Sequence, residues 1–300
     1  MNAVPFFLGY AAAVGVLAPR ALLRSGWPQR SPLLAVAVWF ALAASFSVCV
    51  ALAALHLTTP GAHLHGILYS CRSALGLGAS GGGLLPGPGL AAVAVLVVAH
   101  LAGFADHTGR AYAARARHRE ILDKVGRSSA CSRATVVEHP EPAAYCLPGR
   151  HPRIVLSSGA VGLLSGGELD AVVEHERAHI RGRHHLVLAA AQAFTRVFPG
   201  VPLGGHLQQQ IPLLLEMAAD DHALRRCPRG ALAAAMFTLA AGEAPNGALA
   251  AGGRTVLVRL RRVLAPARRA HPALRCAVGT GAVITPVLPV LLTCHAGLGW

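Results

Sequence analysis

Four stretches of this chain carry no charged side chain over lengths near the ~20 residues that a helix needs to cross ~30 Å of hydrocarbon. They run from Ala3 to Ala18, Leu33 to Leu55, Pro86 to Ala105 and Cys276 to Thr293. Backbone placed in lipid must satisfy its own hydrogen bonds, so stretches of this kind predict membrane-spanning helices. The composition agrees, because 54% hydrophobic against 13% charged residues is too apolar for an ordinary soluble domain. The second stretch contains no Pro or Gly. The fourth carries Pro286 and Pro289, which break the helical ladder unless neighbouring groups re-satisfy it. No basic residue precedes the first stretch and no small-residue cleavage site follows it, so it is expected to remain as an anchor.

The net charge of +14 is distributed unevenly along the chain. Arg20, Arg24 and Arg30 fill the first connection; Arg110, Arg115, Arg117 and Arg119 follow the third stretch; Arg254, Arg259, Arg261, Arg262, Arg268, Arg269 and Arg275 precede the fourth. Only Arg72 lies between the second and third. Positive residues favour the cytoplasmic side, which sets the amino terminus and the second connection outside and residues 106–275 inside. The expected architecture is a mainly α membrane protein with about four transmembrane helices and a cytoplasmic α+β domain. Residues 1–105 would form the membrane region with three helices and a Gly/Pro-rich outer loop. Residues 106–275 would form the cytoplasmic domain, and 276–300 a C-terminal transmembrane helix. Basic residues divided in this way point to a lipid bilayer as partner, and no direct nucleic-acid binding is expected. Arg outnumbers Lys 26 to 1, a usage that suggests a GC-rich bacterial genome.

Seven cysteines form neither a C-x-x-C pair nor an even framework, so most are expected to be small buried apolar residues. Only Cys71 and Cys294 would face the oxidising side, where a bridge could form. Gly78–Gly83 and Pro86–Gly89 lack phosphate-loop spacing and read as linker. A basic helix is predicted over Arg110–Lys124, followed by β-rich pieces at Ala134–Val137, Ala143–Leu147 and Arg153–Leu156. Ser165-Gly-Gly-Glu168 has the form of a capping box, so a helix should start there and run to the basic cluster near Arg183. A second helix is predicted from about Pro212 to Arg226, and the apolar Leu186–Leu203 between them reads as a core or membrane-surface hairpin.

Within the capped helix, His175-Glu176-Arg177-Ala178-His179 forms an H-E-x-x-H pattern. Its histidines are four apart, so both imidazoles lie on one helical face and can reach one ion. With 16 His and 8 Glu in the chain, about 0.02 such matches arise by chance. A catalytic zinc takes three protein ligands and leaves a position for water. Glu216, in Glu216-Met-Ala-Ala-Asp220, is the predicted third ligand, and Asp220, on the same face, is expected to orient a ligand histidine from the second shell. Glu176 is the predicted general base, deprotonating a water whose pKa the ion lowers towards about 7. One Zn2+ per chain and a zinc metalloendopeptidase follow from this reading. The alternative is a non-proteolytic metal-binding membrane signal transducer or scaffold, which would not require Glu176.

These residues resemble the BlaR/MecR-type membrane zinc metallopeptidases, of the gluzincin type. The likeness is carried by Ala144-Tyr-Cys-Leu-Pro-Gly149, Arg153-Ile-Val-Leu-Ser-Ser-Gly159, Glu168 to Ile180 and Glu216-Met-Ala-Ala-Asp-Asp221. More distantly the chain is similar to the heat-shock and prenyl-protein membrane endopeptidases. The resemblance implies a zincin-like endopeptidase domain on the cytoplasmic side of a multi-pass bacterial membrane protein, acting on a protein substrate such as a winged-helix transcriptional repressor. Two departures qualify it. Many relatives carry an acid where this chain has His184. No penicillin-binding sensor domain follows the last apolar stretch, and with Lys124 the only lysine an S-x-x-K motif cannot form, so beta-lactam sensing is not expected.

Other candidates are weaker. Ile154–Leu156 could bind an extended substrate if it were the exposed edge beside the cleft. His222 could stabilise an oxyanion, but reads better as a partly exposed helix residue. His184, His185 and His206 read as surface or hydrogen-bonded neighbours. Ser157 and Ser158 lack a nucleophile-elbow context. The arginines of 254–269 alternate with apolar residues, as in a helix lying on anionic lipid; an acidic partner is the lesser alternative.

Overall fold

Four helices among the described residues are long and apolar enough to cross a membrane. They are α1 (Val4–Arg24), α2 (Pro32–Thr58), α3 (Pro88–Val125) and α10 (Pro272–His295). The computed structural model describes residues 4–58, 88–129, 134–242, 252–265 and 270–295. The expected Gly-rich linker, Cys71 and Cys131 lie outside those residues, as does the side chain of Cys294. In α1 a π-helical turn at Ala13–Leu17 precedes Pro19, whose missing N–H breaks the regular ladder.

The fourth apolar stretch is a continuous helix despite its two prolines. Pro289 offers no N–H to the Thr285 carbonyl one turn earlier. That oxygen instead accepts from Ser45 Oγ of α2 at 2.9 Å and from Tyr10 Oη of α1 at 3.2 Å. Three apolar helices are thereby joined at the point where one of them would otherwise leave a backbone carbonyl without its helical donor.

The basic segment after the third stretch is not a separate helix, because α3 runs unbroken from Pro88 to Val125, through the boundary expected near residue 105. Its end docks on a four-stranded sheet: β1 (Arg127–Ser129), β2 (Ala134–Val137), β3 (Ala144–Leu147) and β4 (Arg153–Ser157). The strand order is β1-β2-β4-β3, with β2 and β4 parallel and the other pairs antiparallel. β4 is therefore interior, which accounts for its continuous buried run Ile154-Val155-Leu156. Val155 packs towards Leu122 of α3, and Ile154 and Leu156 towards Val172 and Val173 on the other face. The condition that Ile154–Leu156 be the exposed edge is not met: it is a core strand, and the edge strand that lines the cleft is β3.

A short helix, α4 (Ser158–Leu163), follows β4, capped by Ser157, whose Oγ accepts from the Ala160 N–H at 3.0 Å and the Ala143 N–H at 2.8 Å. This cap occupies the serine in structure. Helix α5 (Gly166–Arg181) begins at the predicted capping box, with the Ser165 N–H donating to Glu168 Oε2 at 2.7 Å. Arg183, left-handed at φ 47°, turns the chain into α6 (His184–Val197). Gly200, at φ 79°, then turns it into α7 (Pro202–Ala223).

The predicted start at Pro212 is corrected by ten residues. Pro202 sits in the first turn, where a missing N–H costs nothing, and Pro212 is carried inside the helix by the burial of Leu207, Ile211, Leu214 and Leu215. The segment between the two predicted helices is a helical hairpin packed on the apolar helices: Phe194 and Phe198 of α6 stack with Phe46 of α2 and His100 of α3. Helices α8 (Arg229–Gly242) and α9 (Gly252–Leu264) complete the fold by packing on each other, on α5 and on α7. Among the described cysteines only Cys49 is fully buried; Cys276 is exposed, against the expectation of buried residues.

Replacing Ser45 by Ala should lower the stability of the full chain in detergent by about 0.6–1.7 kcal/mol, the range for hydrogen bonds between membrane helices. In a Pro289→Ala background, which restores the helical donor to Thr285, the same replacement should cost less. Thermal unfolding of the four proteins measures the difference.

Candidate metal centre

The centre is assembled from three helices. Helix α5 presents His175 and His179 one turn apart, and α7 presents Glu216 and Asp220 with the same spacing. The two helices pack along their lengths, so the pairs meet. His175 Nε2 and His179 Nε2 lie 3.2 Å apart, with Glu216 Oε2 at 3.4 Å from the first and Oε1 at 3.3 Å from the second. These three residues form the one cluster of metal-ligating type among the described residues. Around a tetrahedral zinc with bonds of about 2.0–2.1 Å, neighbouring donor atoms sit about 3.3–3.4 Å apart. The side chains present therefore fit the ion.

The other nitrogen of each histidine lies beside a buried polar group. His175 Nδ1 lies 3.1 Å from Oδ1 of Asp220, a fully buried carboxylate. His179 Nδ1 lies 2.8 Å from Nδ1 of His184, itself buried. A ligand nitrogen on Nε2 leaves the Nδ1–H of His179 to donate, so His184 accepts on Nδ1 and keeps its own proton on Nε2. The sequence departure at His184 is thus filled by an imidazole acceptor. Spacing alone did not select it, because the turn at Arg183 that folds it back is not a helical repeat.

Arg259 of α9 is the second residue that the sequence reading left out of the site. Its Nη1 forms an ion pair with Glu216 Oε2 at 2.7 Å, while its Nε donates to Asp220 Oδ2 at 2.9 Å and its Nη2 to Asp220 Oδ1 at 2.7 Å. Arg262, one turn on, binds both oxygens of Asp221 at 2.7 Å and the Gln29 carbonyl at 2.6 Å. Two arginines of the helix expected to lie on lipid thus face inward onto α7. Their i, i+3 spacing within an Arg-rich run was the available signal.

Charge in the site is set by pairing against burial. Burial raises the Asp220 and Glu216 carboxyls, yet the hydrogen bonds and charges of Arg259 and His175 overcome it and hold both at about 2. Burial lowers His175, but Asp220 and Glu216 outweigh it and bring the imidazole to about 9. A cation coordinated there replaces that proton. His179 is pushed down to about 4 by burial, only partly countered by Glu216. For Glu176 burial outweighs the opposing influence of His175, Cys146 and Arg259 and leaves its carboxyl above the usual range.

Glu176 lines a cavity of about 460 Å³ together with the two histidines and Glu216. One wall is β3, contributing Ala144, Tyr145 and Cys146, whose thiol is hydrogen-bonded to Glu176. The opposite wall is apolar, with Leu232, Met236 and Leu239 of α8 and Val256 of α9. His222 is not part of it: it lies among Arg181, Arg225 and Arg226 on the far side of α5.

Residues 111–206 match the model of Peptidase family M48. M48 peptidases are zinc-dependent, so the match indicates a metallopeptidase and agrees with the His175, His179 and Glu216 cluster. The M48 match covers the sheet, α5 and α6 and ends inside α7, before Glu216. No curated protein and no solved structure matches the chain.

Replacing His184 by Ala leaves the buried Nδ1 of His179 without its acceptor and should weaken zinc affinity 10- to 100-fold, the cost typical of losing an outer partner of a ligand. Zinc titration against a chromophoric chelator provides the measurement.

Proposed function

We propose that the chain is an integral-membrane zinc-dependent endopeptidase that hydrolyses peptide bonds of a protein substrate at the inner face of a bacterial membrane. The observation that carries this reading is the placement of Glu176, in the same cavity as three side chains spaced for one zinc and beside a free strand edge. A purely structural metal site has no use for a carboxylate so placed.

Substrate binds in extended form along β3, whose outer edge carries no neighbouring strand among the described residues, and a side chain next to the scissile bond enters the apolar pocket of α8 and α9. Zinc held by His175, His179 and Glu216 would polarise the scissile carbonyl and acidify the attacking water. Glu176 takes the proton of that water and delivers it to the departing amine, a transfer helped by a carboxyl already raised by burial. Asp220 and His184 keep the two ligand rings in orientation.

The arginine distribution supports a cytoplasmic position for the domain. The BlaR/MecR-type likeness supports a regulator as substrate, with a winged-helix repressor the first to try; a damaged or lipidated membrane protein is the second.

The Glu176→Gln variant of the full chain should bind one zinc as the parent does and lose cleavage of a peptide library by more than a hundredfold. Cleavage at the parent rate would remove Glu176 from the mechanism. Absence of cleavage by zinc-loaded parent protein, across the library and the repressor, would favour the non-proteolytic transducer.

A further inference from the structure

Helix α9 carries arginines at 259, 261 and 262, and the fold gives them different tasks. Arg261 is exposed, Arg262 fastens the helix to α7 and to the α1–α2 connection, and Arg259 enters the metal centre with only 14% of its side chain exposed. We propose that Arg259 is a positioning residue of the metal centre, holding Glu216 and Asp220 in fixed register through a single guanidinium. The inference rests on His175, His179 and Glu216 being the metal ligands.

The geometry carries it in two steps. Glu216 and Asp220 are acids one helical turn apart on the same face, where two carboxylates would repel if left alone. A guanidinium is planar with five donors, so it spans both carboxylates at once; an ammonium offers a single point of charge. By fixing Oε2 of Glu216 at 2.7 Å, Arg259 leaves Oε1 turned to His179 Nε2 at 3.3 Å. Its two bonds to Asp220 in turn fix the oxygen that lies 3.1 Å from His175 Nδ1. Arg259 thus acts on Glu216 directly, and on His175 both through Asp220 and through its own Nη2, which lies 3.5 Å from His175 Nε2.

Arg262 supplies the internal comparison, since it docks the same helix without touching a ligand. Arg259→Ala, Arg259→Lys, Arg262→Ala and His175→Ala should be made in the full chain, purified in detergent. For each, zinc affinity is measured by chelator competition, the visible spectrum of bound Co2+ is recorded, and the thermal midpoint is taken without metal. Arg259→Ala should weaken zinc at least tenfold and alter the Co2+ spectrum; Arg259→Lys should fall between it and the parent. Arg262→Ala should lower the midpoint but change zinc affinity less than about twofold.

Unchanged affinity and spectrum in Arg259→Ala would overturn the proposal. So would an equal loss of affinity in Arg262→Ala, because docking of α9 would then suffice. If Arg259→Ala does not fold, Arg259→Lys decides by the same spectrum and affinity. Retention of zinc by His175→Ala would instead overturn the ligand assignment itself, an outcome distinct from failure of the Arg259 role.

Discussion

The structure depends most on one buried carboxylate. Asp220 is fully enclosed, and it is tolerated there because Arg259 grips both its oxygens and His175 lies against one of them. Depriving a buried charge of its partner costs about 3–5 kcal/mol, so the three helices that supply these groups are bound to one another by more than apolar contact. Around it, Leu215 and Met217 fill the neighbouring positions of α7, and the same helix brings Glu216 to the histidines. Specific pairing inside an apolar surround is what gives the site its shape.

Much of this could be read from residue spacing, for a simple reason. An α-helix repeats every 3.6 residues, so the four-residue intervals of His175/His179 and Glu216/Asp220 imply two converging faces before any coordinates exist. The capping box at Ser165 and the β-branched runs at Ala134 and Arg153 are local signals of the same kind; β2, β3 and β4 fall within a residue of where they were read, whereas β1 was not read at all.

What escaped was decided by tertiary contacts. Arg259 looks like its neighbours in an amphipathic run; only the docking of α9 separates the residue that enters the site from those that stay outside. His184 reaches His179 because Arg183 adopts a left-handed turn, a conformation that no Arg advertises. Strand β4 reads as an edge or a core strand with equal ease, and the parallel pairing with distant β2 settles it as interior. Pro212 reads as a helix start, but packing on both sides of α7 holds the helix through it. Finally, the Thr285 carbonyl explains how the fourth apolar stretch keeps Pro289: the compensating hydroxyls come from residues 240 and 275 positions away.

Helix α3 has a mechanical consequence. It is 38 residues long, about 57 Å, of which roughly 30 Å suffices to cross a bilayer. The remaining part ends against the sheet, where Arg119 bonds the Pro148 carbonyl, His118 meets Tyr145 and Leu122 packs under Val155. A rigid lever of about 27 Å swings its tip by about 2 Å for a tilt of about 5°. Any lean of this rod would therefore shift the β3 side of the cleft by a distance comparable to a hydrogen bond.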